Sequence, residues 1–289
     1  MPRACNVRRA AGHASRTASF NKVMPMPYPF RLGTTSYILP ADILPNARYL
    51  ADKVQDIELV LFEVDDGPNN LPSADVIDEL IALADRSDLT YTVHLPLDLR
   101  LGADGDEQHV SLIKARRVID HTRALRPWAY VLHLDGREVR NGATPEALQR
   151  WQDQSRRALA LVAEWAGGPD RLAVENLESY PPDFISPVID GLAVGRCVDI
   201  GHLWLDGHDP VPYLRAALPR TRVIHLHGIA GRDHKSLAHM PREQIAAVVE
   251  FLLHEKYAGV LTLEIFGEDD FHSSLAALEQ SARWLWAND

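Results

Sequence analysis

Hydrophobic and polar positions follow two patterns along this chain from Arg31 onward. Short, almost continuously apolar runs predict strands buried on both faces, and longer stretches with apolar positions three or four residues apart predict amphipathic helices. The predicted strands are Arg31–Tyr37, Ile57–Val64, Thr90–Leu95, Tyr130–Leu134, Leu172–Leu177, Gly195–Ile200, Val223–His227 and Val260–Phe266. The clearest predicted helices are Val110–Leu125, Pro145–Trp165 and Pro241–His254. Thr144 is the expected N-cap of the second helix, with Pro145 at its first position.

Eight strands that alternate with helices fit either a closed (β/α)8 barrel or an open doubly wound sheet. The closed barrel typically needs ~250 residues, and this chain has 289. No strand is followed by G-x-G-x-x-G and no P-loop occurs, so the nucleotide-binding signatures of the open sheet are missing. We therefore expect an α/β fold with a single (β/α)8 TIM barrel over residues 30–289.

Residues 1–29 differ from this body. They carry five basic residues, no Asp or Glu and no apolar periodicity. We expect a disordered N-terminal extension; an organellar transit peptide is the alternative interpretation.

Composition narrows the classes of function. Forty acidic against thirty basic residues give a formal charge of −10, and no basic stripe is present, which argues against a nucleic-acid partner. The sequence contains no run of ~18 apolar residues, so no membrane-spanning helix is predicted. The two cysteines, Cys5 and Cys197, do not form a disulfide framework. We therefore expect a cytoplasmic protein with no membrane partner.

Polar residues interrupt the apolar runs at the C-terminal ends of six successive strands, where a barrel carries its chemistry. They are His94, His133, Asp135, Glu175, Asn176, Asp199, His202, His225, His227 and Glu264. Singly, such a His is usually a hydrogen-bonded core residue, and such an acid can cap the next helix. Together they would meet at one mouth, where carboxylates and imidazoles are costly unless a cation joins them. The sequence therefore predicts a divalent metal centre.

Mixed His and carboxylate donors without Cys suit Zn, Mn, Fe or Co. The donors outnumber the ligands of one tetrahedral ion, so we expect two ions, or three, that share a carboxylate. Such ions lower the pKa of bound water toward ~7 and stabilise both oxygens of a phosphoryl displacement.

This series of residues resembles the xylose isomerase-like barrel superfamily, and within it the endonuclease IV-like branch, over residues 31–285. The resemblance implies that His94 and His133 bind a first metal and that Glu175 bridges it to a second. It further implies that the second site is completed by Asp199, His225 and Glu264, and that His202 is a ligand of a third metal.

The third site departs from that branch. A D-x-H motif completes it there, whereas Asp233 and His234 are adjacent here. Two metals, or one metal with His94 and His133 as acid–base or phosphate-binding groups, are therefore both open.

Longer segments resemble the cobamide-remodelling phosphodiesterases: RLGTTSYILPADILPN, YTVHLPLDLRLG, CVDIGHL and GRDHKSLAHMP. The resemblance implies hydrolysis of the nucleotide-loop phosphodiester of adenosylcobalamin-type corrinoids to cobinamide phosphate and an α-riboside. Glu175 would hold the ions together and Glu264 would accept the proton of water. Arg232, His234 and Lys235 are candidates to bind the substrate, and a solvated loop is the alternative for the two charged residues.

Three other functions compete with this one. A sugar isomerase or epimerase on the same fold needs only Glu175, Asp199, His225 and Glu264. DNA cleavage at abasic sites is disfavoured by the acidic body. An inactive corrinoid-binding barrel would have no need of the full ligand series.

Overall fold

The structure, a computed structural model, describes residues 28–63 and 70–286. Eight parallel strands close into a barrel in sequence order, with the first strand paired to the last. The strands are β1 (Arg31–Thr35), β2 (Asp56–Val60), β3 (Thr90–His94), β4 (Tyr130–Leu132), β5 (Leu172–Glu175), β6 (Gly195–Asp199), β7 (Thr221–Leu226) and β8 (Val260–Leu263). The predicted (β/α)8 TIM barrel is confirmed.

Helices alternate with these strands along the described chain. They are α1 (Ile43–Leu50), α2 (Ala74–Ser87), α3 (Val110–Thr122), α4 (Pro145–Ala166), α5 (Ser186–Ile189), α6 (Ile200–Leu205), α7 (Pro210–Ala217), α8 (Arg242–His254) and α9 (Glu268–Trp286). The expected start of α4 is confirmed, because the Thr144 hydroxyl accepts the backbone N–H of Ala147 at 3.3 Å and Pro145 follows the cap. At the other end Gly167 adopts φ +88° and its N–H donates to the last carbonyls, as at a helix-ending glycine.

The observed strands are shorter than the predicted ones at their C-terminal ends. Tyr37, Leu95, Leu134, Leu177 and Phe266 all lie beyond the last residue of their strand. The chain leaves the sheet there because these residues begin the loops that form the barrel mouth. At the other end β7 begins two residues earlier than predicted, at Thr221.

The apolar interior has two parts. The larger packs between the sheet and the surrounding helices. A separate small cluster lies inside the barrel and consists of Ala129, Val131, Ala173, Cys197 and Val223. These side chains fill the barrel interior below the level where the strands end.

Some predictions fall on residues that the structure does not describe. The N-terminal extension expected over residues 1–29 lies outside the described residues as far as Pro27, as do Val64 at the end of the second predicted strand and Cys5. Among the described helices, none is long and apolar enough to cross a membrane.

Candidate metal centre

The strand periodicity sets the positions of the metal-binding candidates. Successive side chains of a strand point to opposite faces, so a residue two positions on returns to the same face. Val131, Ala173, Cys197 and Val223 fill the barrel interior on four neighbouring strands. Two positions after each of them lie, in that order, His133, Glu175, Asp199 and His225. These four side chains therefore project into the barrel at the level where the strands end.

The first group of ligand-type atoms joins His94, His133 and Glu175. Glu175 Oε2 lies 3.2 Å from His133 Nε2 and 3.5 Å from His94 Nε2. Glu175 is buried, and the two imidazoles are half-buried with their rings edge to face at 4.9 Å. This group contains the two histidines that the resemblance assigned to a first metal, together with the carboxylate assigned as the bridge.

The second group joins Glu175, Asp199, His225 and Glu264, all buried. His225 Nδ1 is at its centre, 3.0 Å from Glu264 Oε2, 3.4 Å from Glu175 Oε1 and 3.8 Å from Asp199 Oδ2. Glu175 belongs to both groups and presents one oxygen to each, which is the arrangement that a bridging carboxylate requires. The Cys197 sulfur lies within 4.8 Å of ligand-type atoms of Glu175 and His225.

A third group consists of His202, His227 and His234. Their ring centroids are 4.5 to 5.9 Å apart. The sequence predicts His227 only as a strand-end residue, without a role. It makes His234 a candidate both for the third site and for binding the substrate. His234 reaches the group through a left-handed backbone conformation with φ +50°. His227 is the third imidazole of this group, and Asp233 Oδ2 lies 3.8 Å from His234 Nε2.

Carboxylate partners fix the direction in which two of the imidazoles point. Glu58 of β2 accepts a hydrogen bond from His225 Nε2 at 2.9 Å, which leaves Nδ1 to face the second group. Asp98 accepts from His133 Nδ1 at 3.2 Å and leaves Nε2 to face Glu175. Such carboxylate–imidazole pairs orient metal-binding histidines and raise their basicity. Neither Glu58 nor Asp98 is predicted by the strand-end pattern.

The short turn between β6 and α6 places two further groups. Asp199 caps α6, with its Oδ1 accepting the backbone N–H of His202 at 2.6 Å, so its capping and ligand-type roles coexist. Asn176 holds this turn to β5 by donating to the carbonyl of Asp199 and accepting its N–H, both at 3.0 Å. A Cβ at Gly201 would overlap the His227 ring, so only glycine allows this close approach.

The site's electrostatics favour positive charge. Burial by itself raises the pKa of Glu175, but His225 and His133 more than offset it and hold that pKa well below its usual value. Burial likewise lowers the pKa of His133 and of His227, yet the carboxylates raise it to about 10 for His133, mainly through Glu175, and to about 9 for His227, mainly through Asp199. In the absence of a metal, protons on these rings balance the carboxylates.

The donor atoms fit a metal ion. Four of them are buried and make no hydrogen bond with any described residue: His225 Nδ1, Asp199 Oδ2, Glu264 Oε2 and His227 Nε2. Buried polar atoms are normally paired, and an unpaired one costs roughly 1–3 kcal/mol. Atoms of ligand type that are close together and lack other partners are what a divalent cation needs.

Asp135 is the strand-end acid that does not join the groups. Arg137 binds its carboxylate with both Nε and Nη2, at 2.9 and 2.7 Å, and this pairing lowers the pKa of Asp135 to about 2. Its role is to hold the loop after β4 rather than to face the other donors.

A cavity of about 390 Å³ opens above the ligand groups. It is bordered by His94, His133, Glu175, His202, His234 and Glu264, together with Arg137, Arg140, Tyr180 and several apolar residues. Arg232 is exposed in the loop after β7, and neither it nor Lys235 borders this cavity. Their proposed contact with substrate stays a prediction.

The loop after β3 divides between core and cavity. Leu95, Leu99 and Leu101 are buried in the core, although Leu95 also borders the cavity, whereas Leu97 is 40% exposed at the mouth. Phe62 and Phe266 are also exposed, at 47% and 42%, and Phe266 packs against the His234 ring. The mouth therefore combines a polar base with apolar side chains at its edge.

Similar folds occur in enzymes of several kinds. A D-tagatose 3-epimerase-like protein superposes with a TM-score of 0.69 at 20% identity, covering 90% of this chain and 99% of that one. Endonuclease IV from Thermus thermophilus gives 0.63 at 16%, covering 88% and 99%. D-psicose 3-epimerase from Clostridium cellulolyticum gives 0.60 at 16%, also covering 88% and 99%. At these identities the likeness shows the fold alone.

At the level of sequence, a search of curated proteins gave no match. A family model described as the xylose isomerase-like TIM barrel matches residues 51–287, which is most of the chain and includes every ligand group described above. The chain therefore belongs to the xylose isomerase-like TIM barrel family.

Proposed function

We propose that this protein is a metal-dependent phosphodiesterase that hydrolyses the nucleotide-loop phosphodiester of cobamides. The observation that carries the proposal is the adjoining set of three ligand groups, two of which share Glu175. One ion would use only the second group. The additional histidines of the first and third groups suit a centre with two or more ions of Zn, Mn or Fe, the type used for in-line displacement at phosphorus.

Divalent ions held by Glu175, Asp199, His225, Glu264 and the flanking histidines would supply positive charge to the phosphate and make water more acidic. The remaining work falls to the side chains. Glu264 has a buried oxygen without a hydrogen-bond partner, 3.5 Å from His234 Nδ1, and borders the cavity. It is placed to accept the proton of the attacking water. Glu264 can then return that proton to the departing alkoxide.

The cobamide substrate is proposed from the sequence resemblance and is supported by the cavity mouth. A corrin is a wide ring with large apolar faces, so it needs a broad apolar edge more than a deep pocket. Phe62, Leu97 and Phe266 supply such an edge around the polar base. Exposed apolar side chains grouped around a polar site are typical of ligand contact.

Sugar epimerisation is the second candidate. The second ligand group, with three carboxylates and His225, is sufficient for one ion, and carboxylates on either side of it could remove and return a proton on carbon. Several similar structures bear the names of ketose 3-epimerases. This function gives no role to the first and third groups, which is why we place it second.

The test is to incubate the purified protein, loaded separately with Mn, Zn or Fe, with adenosylcobalamin and to identify products by mass spectrometry. Cobinamide phosphate together with free α-riboside is the expected result. The Glu175→Gln variant serves as the inactive control. An unchanged corrinoid with every metal, together with exchange of the α-proton of a ketose in deuterated water, would contradict the phosphodiesterase and favour the epimerase.

A further inference from the structure

Arg140 stands apart from the other cationic side chains around the cavity. It lies in the loop between β4 and α4, and its side chain makes no hydrogen bond or ion pair with any residue that the structure describes. Its neighbour Arg137, on the same loop, is held bidentately by Asp135. Arg140 is therefore a cation at the cavity whose donors are not used within the described protein.

The position of Arg140 is nevertheless well defined. Its guanidinium carbon lies 4.7 Å from the centroid of the Tyr180 ring, and its backbone N–H donates to the carbonyl of Gly136 at 2.9 Å. Tyr180 packs edge-on against Phe184, which in turn lies 4.5 Å from Trp151. A Cβ at Gly136 would overlap Phe184, so the glycine lets the loop lie directly on these rings. A cation stacked on a fixed ring keeps its planar face oriented. The Nε of Arg140 is buried, and its two Nη groups are the donors that stay available.

The charge around the cavity explains what this cation can do. Five carboxylates border it: Asp98, Glu175, Glu178, Asp233 and Glu264. An anionic group that enters such a lining needs fixed positive charge beyond that of the metal ions. Arg140 supplies it in the form best matched to phosphate, since its planar fork can donate two parallel hydrogen bonds to two oxygens.

We propose that Arg140, held on the Tyr180 ring, is the substrate's phosphate-binding residue. The proposal deepens the function put forward above, because it assigns the non-bridging oxygens of the phosphodiester to this side of the cavity. It also differs from the sequence-based assignment to Arg232 and Lys235, which lie outside the cavity lining. Arg140 binds and orients the phosphate, and the proton transfers stay with the carboxylates and histidines.

The first test measures binding of inorganic phosphate to the metal-loaded protein by calorimetry, so that no turnover is needed. Arg140→Gln should raise the Kd for phosphate by about 10- to 100-fold, as expected for loss of a charge-assisted pair, with metal content unchanged. Arg140→Lys, which keeps the charge but loses the fork, should give an intermediate Kd. Arg150→Gln is the matched control, because Arg150 is exposed on α4, outside the cavity, and carries the same charge.

The second test compares the affinity of the protein for cobinamide with its affinity for cobinamide phosphate. The wild type should prefer the phosphorylated corrinoid, and Arg140→Gln should lose most of that preference. Equal phosphate binding by wild type and Arg140→Gln, equal binding by wild type and Arg140→Lys, or no phosphate binding by the wild type would each overturn the assignment. If adenosylcobalamin is not hydrolysed but Arg140→Gln still weakens phosphate binding, the substrate is wrong and the phosphate site stands.

Discussion

At the scale of single residues, the site depends on side chains whose two polar atoms face different partners. Glu175 divides its two oxygens between two groups, and His225 turns one nitrogen to Glu58 and the other to the ligand cluster. Each of these residues therefore contacts two partners at once. Single substitutions should therefore separate shared ligands from unshared ones.

Glu175→Gln should lower the metal content more than His94→Ala does, because Glu175 belongs to two groups and His94 to one. Hydrolysis should be abolished in the glutamine variant. Metal per protein after gel filtration, measured by atomic emission, gives the comparison. His272→Ala is the control, since His272 is exposed on α9. Equal losses for Glu175→Gln and His94→Ala would argue against the bridge.

Glu58→Gln tests the carboxylate behind His225. Loss of its charge should weaken metal binding by about 10- to 100-fold, because the imidazole loses basicity and a fixed orientation. Competition with a chromogenic chelator measures the affinity. Glu250→Gln, on the exposed side of α8, should bind metal as the wild type does. An unchanged affinity in Glu58→Gln would show that barrel packing alone orients His225.

Metal binding should release protons. At pH 7 the pKa of His133, about 10, and that of His227, about 9, mean that both rings are protonated in the metal-free protein, and each must lose a proton to bind. The affinity should therefore fall as the pH is lowered. Titrations in buffers of different ionisation enthalpy will measure the release, which should be smaller in His133→Ala. A binding enthalpy independent of the buffer would contradict it.

At the scale of elements, the site is a product of strand ends and the turns that follow them. The β6–α6 turn is the tightest example, because Asp199 ends the strand, caps the helix and joins the second ligand group at once. Asn176 connects this turn to β5 through two buried hydrogen bonds. The relative position of the two strands' ligands should depend on that amide.

Asn176→Ala should lower the free energy of unfolding by about 2–3 kcal/mol, since it removes the two buried hydrogen bonds that the amide makes with the backbone of Asp199. Urea unfolding in the presence of a chelator isolates this effect from metal binding. Asn141→Ala, in the exposed loop before α4, should be close to neutral. A neutral Asn176→Ala would mean that water replaces the amide.

The strand pattern explains which parts of the site could be predicted from the sequence. His94, His133, Glu175, Asp199, His225 and Glu264 follow from strand ends alone, because a parallel barrel brings all such ends to one mouth. Glu58 could not be found this way. It sits within an apolar strand, and its partner His225 is 167 positions away. The approach of His234 and the stacking of Arg140 on Tyr180 depend on loop conformations that have no periodicity.

At the scale of the whole molecule, the two ends of the barrel are built differently. One end carries the ligand groups, whereas at the other end Trp128 and Arg222 are joined by two reciprocal hydrogen bonds and a stacked contact at 4.8 Å. Near that second end Asp56, at the start of β2, is wholly buried and accepts a hydrogen bond from Thr90 at 2.6 Å. Burial is the main cause that raises the pKa of Asp56 to about 6.

Asp56 should make stability depend on pH. Below about pH 4 the carboxyl is protonated in both the folded and the unfolded chain. As the pH rises from about 4 to 6, stability falls, because the carboxyl ionises in the unfolded chain first. The free energy of unfolding of Asp56→Asn, taken relative to that of the wild type, should therefore be about 2–3 kcal/mol higher at pH 7 than at pH 4. Urea unfolding at both pH values measures this difference. Asp85→Asn is the control, because Asp85 is exposed on α2. A pH-independent difference would contradict the buried charge.

The contact between Gly201 and His227 constrains how this site can evolve. Any side chain at position 201 would occupy the space of the His227 ring, so the third histidine group is accessible only to sequences that already have glycine there. The two positions are epistatic. Glycine must come before histidine in an evolutionary path, and a family member with a larger residue at the equivalent of 201 is expected to lack this group whatever else its loops contain.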